Sequence, residues 1–273
     1  MYKIIACDLD ETLLKRTDRS IDPRDLEAIR EARKLGVKFV PATGRGFNSV
    51  RGTTAELGLK DEAGEYVISY NGGAVTENKD EKLLYFQGLS FELANELWRR
   101  GLKYNVCMHV YTKDMVYAYR LWPEETAYLN NRMEIKEVFD ETLDFLKGQD
   151  IVKVLYMNTD IPYLESIAED LKDITGDIDV SYSSNRYLEF NTLGVNKGAG
   201  LKRLADFLGV DINDTIAIGD NVNDLSMIKA AGLGVGVHNA TDDVKPECDY
   251  VTEATCDEAA VSEVIRKFIL NEN

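Results

Sequence analysis

The sequence predicts an α/β fold: a parallel sheet covered by helices on both faces, with an α+β unit inserted into it. Three observations carry this. Short apolar runs alternate with helix-periodic stretches at both ends of the chain, the pattern that parallel strands and crossover helices produce. In the middle, neighbouring runs are joined by tight turns and must pair antiparallel. The 273 residues, 44% of them hydrophobic, suffice for two cores of ordinary size.

Element by element, Ile4 to Cys7 reads as a strand. Asp22 then supplies an N-cap and Pro23 a helix-compatible first position, and Leu26, Ile29, Ala32 and Leu35 recur at helical spacing until Gly36. Val37 to Val40 is a second strand and Tyr66 to Tyr70 a third. From about Ser90 to Asn185 the pattern changes: a helix at Phe91 to Arg100, then adjoining strands at Lys103 to Tyr111 and Met115 to Leu121. Helical segments follow around Glu124 and Asp144, then a strand at Ile151 to Met157, a helix at Ile161 to Lys172 and two closing strands. The first pattern then returns, with a helix through Leu201, Leu204, Ala205 and Leu208 ending at Gly209, and a strand at Thr215 to Ile218. A helix through Leu225, Ile228 and Ala231 ends at Gly232, and a terminal helix carries Val261, Val264, Ile265, Phe268 and Ile269. The expected boundaries are a core of 1–84 and 187–273 and an inserted domain of 85–186.

Charge restricts the partners. The 48 acidic and 32 basic side chains give a formal net charge of -16, which disfavours nucleic acid and anionic membrane surfaces. A single small phosphate is different, because screening over about 8 Å lets a local cationic pocket prevail. Cys7, Cys107, Cys248 and Cys256 have no CxxC spacing and read as reduced packing residues. With no signal-like leader and no apolar run long enough to span a bilayer, the expectation is a soluble, cytoplasmic protein. Oligomeric state is not legible.

Four polar segments each follow an apolar strand: Asp8-Leu9-Asp10-Glu11-Thr12, Ala42-Thr43-Gly44-Arg45, Asn71-Gly72-Gly73, and Gly219-Asp220-Asn221-Val222-Asn223-Asp224. Ligands of open α/β sheets bind beyond the carboxyl ends of the strands, where these would converge. Asp8 and Asp10 lie two apart, so along an extended backbone they face one side about 7 Å apart. Adding Asp220 and Asp224 gives an oxygen-only cluster suited to Mg²⁺ rather than zinc. Lys197 heads a helix whose free first-turn N–H groups are expected to help it hold an anion. Thr43 offers a hydroxyl, and Gly44 a close backbone approach. These are the parts needed to split a phosphate monoester.

The four motifs, in order and over essentially the whole chain, resemble the haloacid dehalogenase-like (HAD) phosphohydrolase superfamily in its Cof-like branch. The resemblance implies a Rossmann-like core with the larger mixed α/β cap, and a Mg²⁺-dependent phosphatase of small phosphorylated metabolites, such as a sugar phosphate or cofactor precursor. It implies Asp8 as nucleophile, forming an aspartyl-phosphate, and Asp10 as general acid and base. Mg²⁺ would be bound by the Asp8 carboxylate, the Asp10 main-chain carbonyl and Asp220, with Asp224 orienting waters or the metal and Asn223 supporting the loop. Thr43, Gly44 and Lys197 would hold the phosphoryl, Arg45 and Asn71 would touch phosphate or substrate at the cleft edge, and Thr12 would fix the first loop.

The sequence departs from the family pattern at Glu11, where Gly is frequent, at His238 before Asn239-Ala240, and at Cys256-Asp257-Glu258-Ala259-Ala260. The alternatives are a phosphomutase or phosphotransferase of the same superfamily and, from another class, a phospho-receiver signalling module. The Gly232 to Gly236 run lacks dinucleotide-binding spacing and reads as a turn and strand. Asn71-Gly72 also reads as an ordinary hairpin turn. His109 and His238 read as structural or exposed residues, and the aromatic run Tyr104, Tyr111, Tyr117, Tyr119 and Trp122 reads chiefly as core and sheet packing of the inserted domain, with one or two members open to stacking on a substrate ring.

Overall fold

The computed structural model describes residues 1–130 and 133–272. In chain order the first elements are β1 (Ile4–Cys7), α1 (Pro23–Lys34), β2 (Lys38–Pro41), α2 (Arg51–Glu56), β3 (Tyr66–Ser69), β4 (Ala74–Glu77) and β5 (Lys82–Phe86). The middle supplies α3 (Phe91–Gly101), β6 (Cys107–Thr112), β7 (Val116–Tyr119), α4 (Pro123–Leu129), β8 (Ile135–Val138), β9 (Ile151–Met157), α5 (Ile161–Asp170), β10 (Ile178–Ser183) and β11 (Tyr187–Thr192). The chain then continues through α6 (Lys197–Leu208), β12 (Thr215–Gly219), α7 (Leu225–Ala230), β13 (Leu233–Gly236), β14 (Tyr250–Val251) and α8 (Ala260–Ile265). No helix among the described residues is long and apolar enough to cross a membrane.

Two compact units result: Met1–Phe86 with Asn196–Asn273, and Gln87–Val195. The second crossing falls after Val195 rather than after 186, because β11 pairs with β9 and β10 and so stays with the middle sheet.

In the first unit β14-β13-β12-β1-β2 form a parallel sheet. Alternate strand residues feed opposite cores. Ile5, Cys7, Phe39, Ile216 and Ile218 pack with Ala28 and Ile29 of α1 and Val261 and Val264 of α8, whereas Ile4, Ala6, Val40 and Ala217 pack with Leu201 and Leu204 of α6 and Met227 of α7. Burial on both faces explains why these strands read as unbroken apolar runs. Helix α1 begins as expected, with the Asp22 carboxylate accepting from Arg24 N–H ahead of Pro23. It stops before Gly36, which takes φ +85°.

Tyr66–Ser69 joins the parallel sheet only through a single bridge between Ala42 and Ile68, and otherwise belongs to a separate antiparallel sheet, β3-β4-β5. The four residues 70–73 between β3 and β4 are too few for a crossover, so the chain must fold straight back. The terminal helical segment is divided, α8 giving way to a π-helical turn at Arg266–Leu270.

The second unit is a six-stranded sheet, β10-β11-β9-β6-β7-β8, antiparallel except for β7 and β8. Met108, Val110, Val154, Tyr156, Leu188 and Phe190 face Leu97 and Trp98 of α3 and Leu164 and Ile167 of α5. By strand alternation the opposite face carries Cys107, His109, Lys153 and Glu189, with Lys153 and Glu189 ion-paired at 2.5 Å. His109 is fully buried and its pKa is depressed to about 3, by burial and then by Lys153, so it is a neutral packing residue.

Candidate active site

The parallel register sets Cys7 beside Pro41 and Ile218. Asp8, Ala42-Thr43 and Gly219-Asp220 therefore leave the sheet at one carboxyl edge. There the carboxylates of Asp8, Asp220 and Asp224 offer oxygens all within 4.8 Å of one another, and all three residues are buried. The Lys197 ammonium lies among them, 2.6 Å from Asp8 Oδ1 and 2.6 Å from Asp224 Oδ1, with no exposure of its own. Burial would drive that ammonium toward the neutral form, but the charges of Asp224 and Asp8 outweigh it and hold the Lys197 pKa above its usual value.

One lysine does not neutralise three acids. Asp8 is raised well above the usual carboxylate range by burial and then by the Asp224 charge, against the pull of Lys197. Asp220 is pushed up to about 6 by burial and by Asp224, opposed by a hydrogen bond from Thr12. Such unresolved repulsion among buried oxygens is what a divalent cation relieves, and a donor set without His or Cys suits Mg²⁺. The residues present fit that ion.

Each oxygen of Asp224 is engaged within the protein. Oδ2 accepts from the backbone N–H groups of Asp220 and Asn221, both at 3.0 Å, while Oδ1 accepts from Lys197. Asp224 thus shapes the loop that presents Asp220. Gly219 makes room for it, since a Cβ there would collide with the Asp224 side chain. Thr12 does more than fix its own loop: its hydroxyl donates to Asp220 Oδ1 at 2.8 Å, tying the end of β1 to the end of β12.

The Asp10 carboxylate stands apart from this cluster. Arg45 Nε donates to its Oδ2 at 2.8 Å and Arg45 Nη2 to its Oδ1, and Arg19 Nη2 lies 2.5 Å from Oδ1. Arg45 is thus brought to Asp10. Arg19 carries no sequence signal, because it sits in the charged run Lys15-Arg16-Thr17-Asp18-Arg19, which reads as solvated surface.

Thr43 is buried and its hydroxyl accepts from Arg45 N–H at 3.1 Å. Asn71 joins this neighbourhood: its N–H donates to Thr43 O at 2.9 Å, and its Oδ1 accepts from Asn223 Nδ2 at 3.4 Å. Tyr70, Asn71 and Gly72 all have positive φ, at 53°, 53° and 90°, so the link from β3 to β4 is a strained left-handed turn rather than a two-residue hairpin. Gly72 is required, because a Cβ would run into the backbone of Asn196 just before α6.

The expected anion site at the start of α6 is corrected. The N–H of Gly198 donates to Ser226 Oγ at 3.0 Å and that of Ala199 to the Asn196 side chain at 2.9 Å, so neither is free for a ligand. Lys197 meets the cluster through its ammonium. Among the departures from the family pattern, Glu11 takes φ 60°, the conformation that favours Gly, and its carboxylate lies 2.5 Å from Arg16. His238 is exposed on the rim.

A family model described as haloacid dehalogenase-like hydrolase matches residues 5–265. A 5-amino-6-(5-phospho-D-ribitylamino)uracil phosphatase of Bacillus subtilis is 29% identical over 272 residues, covering 98% of this chain and 96% of that protein. Another B. subtilis phosphatase, YwpJ, is 27% identical, covering 98% of this chain and 100% of its own length. The crystal structure of a haloacid dehalogenase-like hydrolase from Bacteroides thetaiotaomicron superimposes with a TM-score of 0.86 at 32% identity, covering 98% of this chain and 100% of that one. With the buried carboxylate cluster at the sheet edge and a match spanning nearly the whole sequence, the chain belongs to the haloacid dehalogenase-like hydrolase family, in its Cof-like branch.

Proposed function

We propose that the protein is a Mg²⁺-dependent phosphatase of small phosphorylated metabolites that works by transient phosphorylation of Asp8. The supporting observation is the buried ion pair of Asp8 with Lys197 inside the three-carboxylate cluster at the sheet's carboxyl edge. The relatives are named phosphatases, and one of those names specifies a phosphorylated ribitylaminouracil as substrate. The Gln87–Val195 unit takes the part of the cap.

Asp8 attacks phosphorus, with Lys197 offsetting charge on the nucleophile's surroundings. Asp10 gives its proton to the leaving oxygen and then takes one from the water that hydrolyses the acyl phosphate. Thr43 and the backbone at Gly44 hold the phosphoryl oxygens. Mg²⁺, held by the Asp8 and Asp220 carboxylates and the Asp10 main-chain carbonyl, would neutralise phosphoryl charge. Thr12 and Asp224 keep Asp220 where that ion needs it.

Phosphate release from a broad panel of phosphorylated metabolites, with Mg²⁺ and with chelator, tests the reading. Turnover of some small esters that chelator abolishes is expected. Isomerised ester in place of free phosphate would point to phosphoryl transfer, and no reaction across the panel would overturn the proposal.

A further inference from the structure

We propose that Arg19 is a positioning residue for Asp10, holding the general acid and base in its working orientation; this rests on the phosphatase reading. The Asp10 side chain is 44% exposed, so packing alone does not fix it. Its two oxygens are instead held by guanidinium groups: Arg45 on Oδ1 and Oδ2, and Arg19 on Oδ1 at 2.5 Å. The two charge-assisted bonds from the planar Arg45 fork fix the carboxylate in direction as well as place, and Arg19 adds a third bond through Nη2 alone.

The two arginines are anchored differently. Arg45 follows Thr43 and Gly44 directly, where the phosphoryl group is expected, so a bound phosphate competes with Asp10 for its guanidinium. Arg19 comes from a separate turn. It holds φ 63°, a conformation uncommon among non-glycine residues. That turn is closed by Arg19 N–H to Lys15 O at 3.0 Å and Lys15 N–H to Ser20 O at 2.9 Å.

The departures from the family pattern meet at this loop. Thr17 donates to Asp257 Oδ1 through its hydroxyl at 3.1 Å, while Asn239 donates to Glu11 O and accepts from Cys256 N–H, both at 2.8 Å. Of these contacts, the one between Thr17 and Asp257 reaches the turn of residues 15–20 itself. When substrate draws on Arg45, Arg19 is the cation that still holds Asp10.

A general acid matters most when the leaving oxygen is a poor leaving group. The test compares kcat/KM, with Mg²⁺, for an alkyl phosphate and for 4-nitrophenyl phosphate in wild type, Arg19→Ala and Arg19→Lys. We expect Arg19→Ala to lower the alkyl value about tenfold and the nitrophenyl value less than about twofold, since nitrophenolate departs without a proton. Arg19→Lys should recover part of the alkyl loss. Equal losses on both esters, or no loss on either, in an active wild type would overturn the assignment of Arg19 alone. The alkyl ester is one that the metabolite panel shows to be turned over, and a wild type that hydrolyses none of that panel would overturn the phosphatase reading, and this assignment with it.

Discussion

Lys197 and Asp224 form an ion pair of 2.6 Å in which neither side chain has any exposure, and the same ammonium reaches Asp8 at the same distance. A cation so placed is as much a part of the fold as of the site. Removing one partner of a buried pair leaves an uncompensated charge, which costs about 3–5 kcal/mol.

Lys197→Met should therefore lower stability by about that amount as well as abolish turnover. Urea unfolding at neutral pH measures the first effect. The double variant Lys197→Met, Asp224→Asn should recover part of the stability and none of the activity. A single variant as stable as wild type would contradict the buried-charge account.

Thr12→Val removes the hydroxyl that donates to Asp220 Oδ1 while keeping the side chain's shape. Residues that orient a metal ligand are typically worth 10–100-fold in affinity. The Mg²⁺ concentration giving half-maximal activity should rise about tenfold, with the maximal rate at saturating Mg²⁺ changed less. An unaltered Mg²⁺ titration would show that the Thr12 bond has no influence on the ion.

Outside the cluster, Asp25 of α1 is fully buried, and its Oδ1 accepts from the N–H of Ser262 in α8 at 2.6 Å. Its Oδ2 is buried without a hydrogen-bond partner. Burial pushes its pKa up to about 7, against the lowering effect of the Ser262 bond. The folded state therefore binds this proton more tightly than the unfolded chain does. Stability from Asp25 is greatest below the ordinary carboxylate value and is lost as pH rises toward 7, by at most about 1.4 kcal/mol per unit. In urea unfolding from about pH 5 to about pH 7.5, the stability of Asp25→Asn relative to wild type should increase with pH. A constant difference would contradict the raised value.

How much of this was legible depended on whether the signal was local. The strands around Ile5 and Ile216 are buried on both faces, and the stops at Gly36 and Gly209 need left-handed φ, so sequence alone located them. The edge strand β8 leaves no pattern to read, because only Val138 of Ile135–Val138 is buried. Asp8, Thr43 and Asp220 stand out because each follows an apolar run, and Lys197 because it heads a helix, in an order that a solvated surface has no reason to keep. Arg19 and Ser226 were invisible for the opposite reason. An arginine in a charged turn and a serine in a helix acquire meaning only when the fold sets one on Asp10 and the other on Gly198.

The central claim is that Asp8 carries the phosphoryl group. Rapid acid quench of the enzyme during turnover, followed by mass spectrometry of its peptides, examines that bond directly. The account predicts one phosphoryl mass on the peptide containing Asp8, labile to hydroxylamine and missing from Asp8→Asn, which should also be inactive. Turnover that persists in Asp8→Asn, or a phosphoryl group found on another residue, would contradict it.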